Sequence, residues 1–127
     1  RYMKHGTRNL APETIFGGQD CFGFDMRYSA DGFYGRAAYF AERTVYSHGY
    51  RYDVPGQPNV AQMFIAVVAC GRVDDRTARG VAIDRTIKHP PPGHHCIRAM
   101  VATNDPAVMV YELYQAYPAY LITYQFG

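Results

Sequence analysis

Met63-Phe64-Ile65-Ala66-Val67-Val68-Ala69-Cys70 is an unbroken apolar run, β-branched in part, at the middle of the chain. Continuous apolarity without alternation predicts a strand buried on both faces. Working outward, Tyr2 to His5 reads as a short first strand and Ala37 to Phe40 as another short apolar segment. Val108 to Tyr111 and Tyr120 to Phe126 read as the last two strands, with Tyr117-Pro118 turning between them. Helical signals are few. Ala11 to Phe16 carries a proline in its first turn and closes at Gly17-Gly18, and Glu42 to Tyr50 has room for about two turns. Residues 19–35, rich in Gly, Asp and Ser, and residues 52–59 read as loop. Residues 71–79 are a polar excursion, and the prolines of His89-Pro90-Pro91-Pro92-Gly93 exclude helix. Five or six short strands with few helices predict an α+β fold with a largely antiparallel sheet.

At 127 residues the chain suits a single domain over 1–127, and 48% hydrophobic residues supply a core without staples. It opens at Arg1 rather than methionine and is read as a piece of a longer protein. No apolar run approaches the length of a spanning helix, so no membrane partner is expected. Eleven Arg and two Lys are scattered, with no basic run to suggest nucleic-acid binding, and a monomeric domain is expected. Arg favours bidentate phosphate contacts, so one or two could face a pyrophosphate. Cys21, Cys70 and Cys96 make an odd set with no CxxC pair, which fits free thiols in an intracellular setting, and Cys70 reads as a buried small hydrophobe. His89, His94, His95 and Cys96 lack the paired spacing of a zinc site, and no metal is expected.

Three short stretches carry chemistry. His5-Gly6-Thr7 sets an imidazole at a strand end beside backbone that a ligand can approach closely. Tyr39 sits in an apolar strand. Ser47 and Tyr50 are three apart, so a helical turn sets a hydroxyl beside an aromatic ring, a pair able to hold a flat ring bearing a carboxamide. Twelve tyrosines and no tryptophan suit both a β-rich core and a clamp on a planar ring.

Taken in order, these stretches resemble the catalytic domain of the poly(ADP-ribose) polymerase family over nearly the whole chain. The resemblance rests on His5-Gly6-Thr7-Arg8, Gly23-Phe24-Asp25, Gly32-Phe33-Tyr34-Gly35 and Tyr39-Phe40-Ala41, with Ser47 eight residues after Tyr39 and Tyr50 three after that. Pro91-Pro92-Gly93-His94-His95 and Tyr120-Leu121-Ile122-Thr123-Tyr124-Gln125 are most similar to tankyrase members. The resemblance implies an ADP-ribosyltransferase core, two small mostly antiparallel sheets with few short helices around a cleft for NAD. It implies that His5, with Thr7 nearby, holds the adenosine-side ribose. Gly6 would offer backbone to the nicotinamide carboxamide, Ser47 would bind the carboxamide oxygen, and Tyr50 and Tyr39 would pack the two sides of the ring. The stretch matching the tankyrase zinc loop, residues 51–62, holds neither Cys nor His.

One position departs. Counting back from Gln115, the glutamate of polymerizing members falls on Ala107. A methyl group can neither bind a ribose hydroxyl nor align an acceptor, and losing such a group costs on the order of 10²–10⁴ in rate. Asp105 shares its strand face only if the strand extends past Pro106, and Glu112 points to the other face. The function implied is transfer of one ADP-ribose from NAD to a protein acceptor, with release of nicotinamide. The alternatives are an inactive NAD- or partner-binding pseudoenzyme, or an NAD hydrolase. Asp25 and Arg27 suit either a local ion pair or the adenine end.

Overall fold

A computed structural model describes residues 1–16 and 30–127. The apolar run becomes the long strand β5, Val60–Val68, starting earlier and ending sooner than the run itself. Phe64, Ala66 and Val68 point into the core, whereas Ile65 is half-buried and Val67 exposed. The expectation of burial on both faces therefore holds only in part: α2 lies beside Met63, which is buried, and Ile65, while Val67 farther along the same face is exposed. Around β5 the described elements run β1 (Tyr2–His5), α1 (Pro12–Phe16), β2 (Ala30–Gly32), β3 (Gly35–Ala41), α2 (Thr44–His48) and β4 (Tyr52–Asp53) before it. After it come β6 (Val73–Asp75), β7 (Cys96–Ala102), β8 (Asp105–Val110), a 3-10 turn (Leu113–Gln115) and β9 (Ala116–Gln125). Gly17-Gly18, Cys21, Gly23-Phe24-Asp25 and Arg27 lie outside the described residues.

The architecture is α+β, with a mostly antiparallel sheet and few short helices. The strands form one hydrogen-bonded sheet in the order β4-β5-β1-β3-β8-β7-β6, with β2 added to β3 and β9 to β5, rather than two separate sheets. The join between its halves is thin. β1 pairs with β5 over four residues but meets β3 at the single pair Lys4↔Ala41. Two hydrophobic clusters result. One gathers Met3, Phe40, Phe64 and Val108, the other Tyr34, Ile97, Ala107 and Met109. Alternation along β3 sends Ala38 and Phe40 to the first and Ala37 and Tyr39 to the second.

Three local readings change. The chain turns before β9 at the 3-10 segment, and Tyr117-Pro118 lie within β9, where Tyr117 pairs with Val67. α2 spans Thr44–His48 only, because Glu42 is drawn into ion pairs and Gly49 closes the last turn. The excursion after Cys70 contains β6, paired in parallel with β7. No helix among the described residues is long and apolar enough to cross a membrane.

The edge beside this face is pinned by charge. Arg98 on β7 donates from Nε and Nη2 to the Glu42 carboxylate and from Nη1 to Asp75 on β6, at 2.6, 3.1 and 3.0 Å. The Arg98 hydrogen bonds hold the Glu42 carboxyl below its ordinary value, against a smaller effect of burial. A depressed carboxylate stabilises above its unfolded pKa, and that stability is lost as pH falls through the folded value. Glu42→Gln should therefore cost about 1.5–3 kcal/mol at neutral pH, the scale of a hydrogen bond to a charged group. It should also flatten the loss of stability below pH 4.5, leaving the part due to Asp75, whose carboxyl is lowered by Thr77. Thermal unfolding midpoints across a pH series check both.

Candidate active site

A cavity of about 390 Å³ opens at the thin join between the two halves of the sheet. Its walls hold His5, Gly6, Thr7, Tyr39, Ser47, Tyr50 and Ala107, every residue that the sequence nominates for the site. The size lies within the range of small-molecule sites.

His5 ends β1. Its Nδ1 lies 2.7 Å from the Tyr39 carbonyl oxygen, and its ring packs on Phe40 at 5.1 Å between centroids. A carbonyl can only accept, so Nδ1 carries the proton and, in the neutral ring, Nε2 is the acceptor. Burial lowers the imidazole pKa from its ordinary value, outweighing the rise from the Tyr39 hydrogen bond, so His5 is neutral at physiological pH. The bond also explains the thinness of the join. β2 pairs with residues 35–37 of β3 and β1 with Ala41, so between them the imidazole meets the Tyr39 carbonyl in place of a strand.

Gly6 is held against the turn that follows α2. A Cβ there would collide with the Tyr50 carbonyl oxygen and lie 2.5 Å from its carbon and 2.9 Å from the Ser47 oxygen. The same turn is closed by the Tyr50 N–H donating to Ser47 O at 2.9 Å, so Tyr50 sits just beyond the helix while Ser47, buried, faces the cavity from its last turn. Thr7 serves chain direction. Its hydroxyl donates to Leu10 O at 2.6 Å. Arg8 adopts a left-handed φ of 52°, and its N–H donates to Tyr50 O at 2.8 Å.

Tyr39 lies across from this turn. Its hydroxyl donates to Gly35 O at 2.8 Å and accepts from Tyr34 N–H at 3.0 Å, and burial raises its pKa. Gly32 lets the hydroxyl end of the ring approach β2 closely, since a Cβ there would sit 2.5 Å from the Tyr39 hydroxyl. The floor is a row of methyl groups. Ala107 pairs with Ala41 on one side and Ala99 on the other, so three alanines stand side by side on one face of three strands. All three are buried, and Ala41 and Ala107 reach the cavity.

Neither neighbouring carboxylate fills this position. β8 does extend through Asp105, contrary to the expectation from Pro106, with a register irregularity opposite between Met100 and Ala102. Asp105 is nonetheless turned to Arg43 at 3.2 Å and is not in the cavity wall. Glu112 is exposed ahead of the 3-10 turn. Charge on the wall comes from Arg8 and Asp31, both exposed. Sequence reasoning missed Tyr46, whose hydroxyl donates to the Tyr50 hydroxyl at 3.1 Å, and whose pKa is raised by burial and by that bond. Its adjacency to Ser47 was the available signal. Among the described residues no group of three or more His, Cys, Asp or Glu is placed to hold a metal ion.

No protein-family model matches the chain. A probable poly(ADP-ribose) polymerase of Dictyostelium discoideum is 31% identical to it over 124 residues. Over nearly its whole length the chain is similar to that polymerase. The match takes in 95% of this chain but 32% of the relative, so the chain spans about a third of the relative's length.

Two outcomes follow from this geometry. Gly6→Ala should destabilise by about 1–3 kcal/mol through overpacking against rigid backbone, whereas Gly49→Ala, whose Cβ would meet only Tyr46 O at 3.3 Å, should cost much less. Denaturant unfolding of both variants reads the contrast. In an NMR titration His5 should protonate below its ordinary value of 6.5. Below pH 6.5 the unfolded chain takes up a proton that the folded ring resists, so His5 lowers stability as pH falls and contributes nothing above it.

Proposed function

We propose that this chain carries an NAD-dependent mono-ADP-ribosyltransferase site, releasing nicotinamide and passing one ADP-ribose to a protein side chain. The observation that carries the reading is the gathering of His5, Gly6, Tyr39, Ser47, Tyr50 and Ala107 about one cavity, with a methyl at the last position. The similarity to a probable poly(ADP-ribose) polymerase supports the transferase class.

In this reading the Tyr50 and Tyr39 rings hold the nicotinamide, and the Gly6 backbone and Ser47 hydroxyl bind its carboxamide. His5 Nε2 accepts from a hydroxyl of the adenosine-side ribose, a role its neutral Nδ1–H form suits. The bond from ribose C1′ to the pyridinium nitrogen breaks, and its electron pair neutralises the ring. Oxocarbenium character develops at C1′, as in glycoside cleavage, and an acceptor carboxylate oxygen bonds there. Positioning supplies most of the acceleration. The alanine row offers no carboxylate to hold the reacting ribose or align a sugar hydroxyl for a second round. An acceptor that brings its own carboxylate is served, and chain growth is not.

Intact-protein mass spectrometry after incubation with NAD and a carboxylate-rich acceptor should show a single ADP-ribose addition, absent in His5→Ala. Free ADP-ribose without modified protein would mean hydrolysis. Neither product would mean a binding pseudoenzyme. Ala107 borders the cavity, which has room for a longer side chain, so Ala107→Glu should fold and give multiple additions. A folded Ala107→Glu variant that still adds one unit would show that this is not the position controlling chain length.

A further inference from the structure

The Tyr50 ring, which the proposed function gives to a flat ligand, is flanked in this structure. The Arg8 guanidinium carbon lies 4.2 Å from the ring centroid, and the Tyr46 ring stands 5.1 Å away, tilted by 40°. A planar ligand that takes the ring face under the Arg8 guanidinium must displace it. Tyr46 is half-buried and bonded through its hydroxyl to Tyr50. Arg8 is exposed and hangs on a flexible stem. Its backbone is nevertheless fixed. The left-handed φ of 52° is unfavourable for a residue with a long side chain, and the N–H bond to Tyr50 O at 2.8 Å holds it there. The backbone is thus fixed at the point from which the Arg8 side chain meets this ring.

Resting on the proposed ring site, we propose that Arg8 is its specificity-determining residue. The guanidinium occupies the stacking face of Tyr50, and a planar carboxamide ligand enters by exchanging with it. The exchange costs one exposed cation–π contact and selects ligands whose ring and amide together outbid it.

The test uses benzamide, a flat neutral ring bearing a carboxamide, titrated into the 127-residue chain by calorimetry or NMR. Arg8→Asn removes the guanidinium while keeping a residue that tolerates a left-handed φ. It should tighten benzamide binding about two- to fivefold, the factor expected for one exposed cation–π contact. Tyr50→Ala should abolish binding in either background, and unchanged unfolding midpoints separate these effects from misfolding. Equal or weaker benzamide binding by folded Arg8→Asn would overturn the Arg8 proposal while leaving the ring site standing. No binding by the parent chain and none by Arg8→Asn would overturn both. Binding that survives Tyr50→Ala would place the ligand elsewhere and overturn both as well.

Discussion

The hydrogen bond from His5 Nδ1–H to the Tyr39 carbonyl joins the two halves of the sheet where their strands barely pair. A continuous ladder would have filled this space with backbone, leaving no cleft. With the imidazole as the link, the halves stay together and the cavity opens beside it. The same bond fixes the tautomer, so the side chain that joins the sheet also presents a defined acceptor. Removing it would do two things at once, since the Tyr39 carbonyl would lose a partner in a half-buried place. Effects of His5 substitutions on activity therefore need a stability measurement beside them.

The floor of the cavity obeys a different constraint. Ala41, Ala107 and Ala99 stand in one row, and larger residues at the two flanking positions would fill the space above Ala107. A carboxylate in that row would be flanked by methyl groups, with Met109 and Ile97 close by in the same cluster. Burial there would raise its pKa, and a ligand's hydroxyls would oppose the rise. An alanine avoids that desolvation altogether. The absence of charge at the floor thus lowers the electrostatic demand on the fold while narrowing the chemistry available.

Much of the site was legible in the sequence because its residues act through their own types. An imidazole at a strand end, a glycine beside it, and a serine and tyrosine three apart are local patterns. What escaped was set by pairing partners far along the chain. The strand Cys96–Ala102 is not among the elements nominated from the sequence, since Arg98 interrupts its apolar residues and the partner of that arginine, Glu42, lies 56 residues away. The run Met63–Cys70 hides its exposed face, because which side of β5 is covered depends on what packs there and not on β5. Asp105 could be placed beside Ala107 by counting, but its commitment to Arg43 could not.

The four consecutive residues His5-Gly6-Thr7-Arg8 show why a short motif can be so informative. Each is constrained by a different part of the chain. His5 is tied to β3, Gly6 is pressed on the turn after α2, Thr7 bonds Leu10, and Arg8 both bonds and covers Tyr50. Four residues thereby locate the ends of three elements with respect to one cavity. A substitution at any of them meets a distinct obstacle: a lost acceptor partner, a backbone collision, a broken turn, or a changed ring face. The glycine is the least replaceable on steric grounds, because its neighbours are backbone atoms that cannot rotate away. The arginine is the most replaceable for folding, since its side chain is exposed and only its backbone is fixed. Its side chain is therefore the place where this motif can vary ligand preference without disturbing the frame that the other three hold.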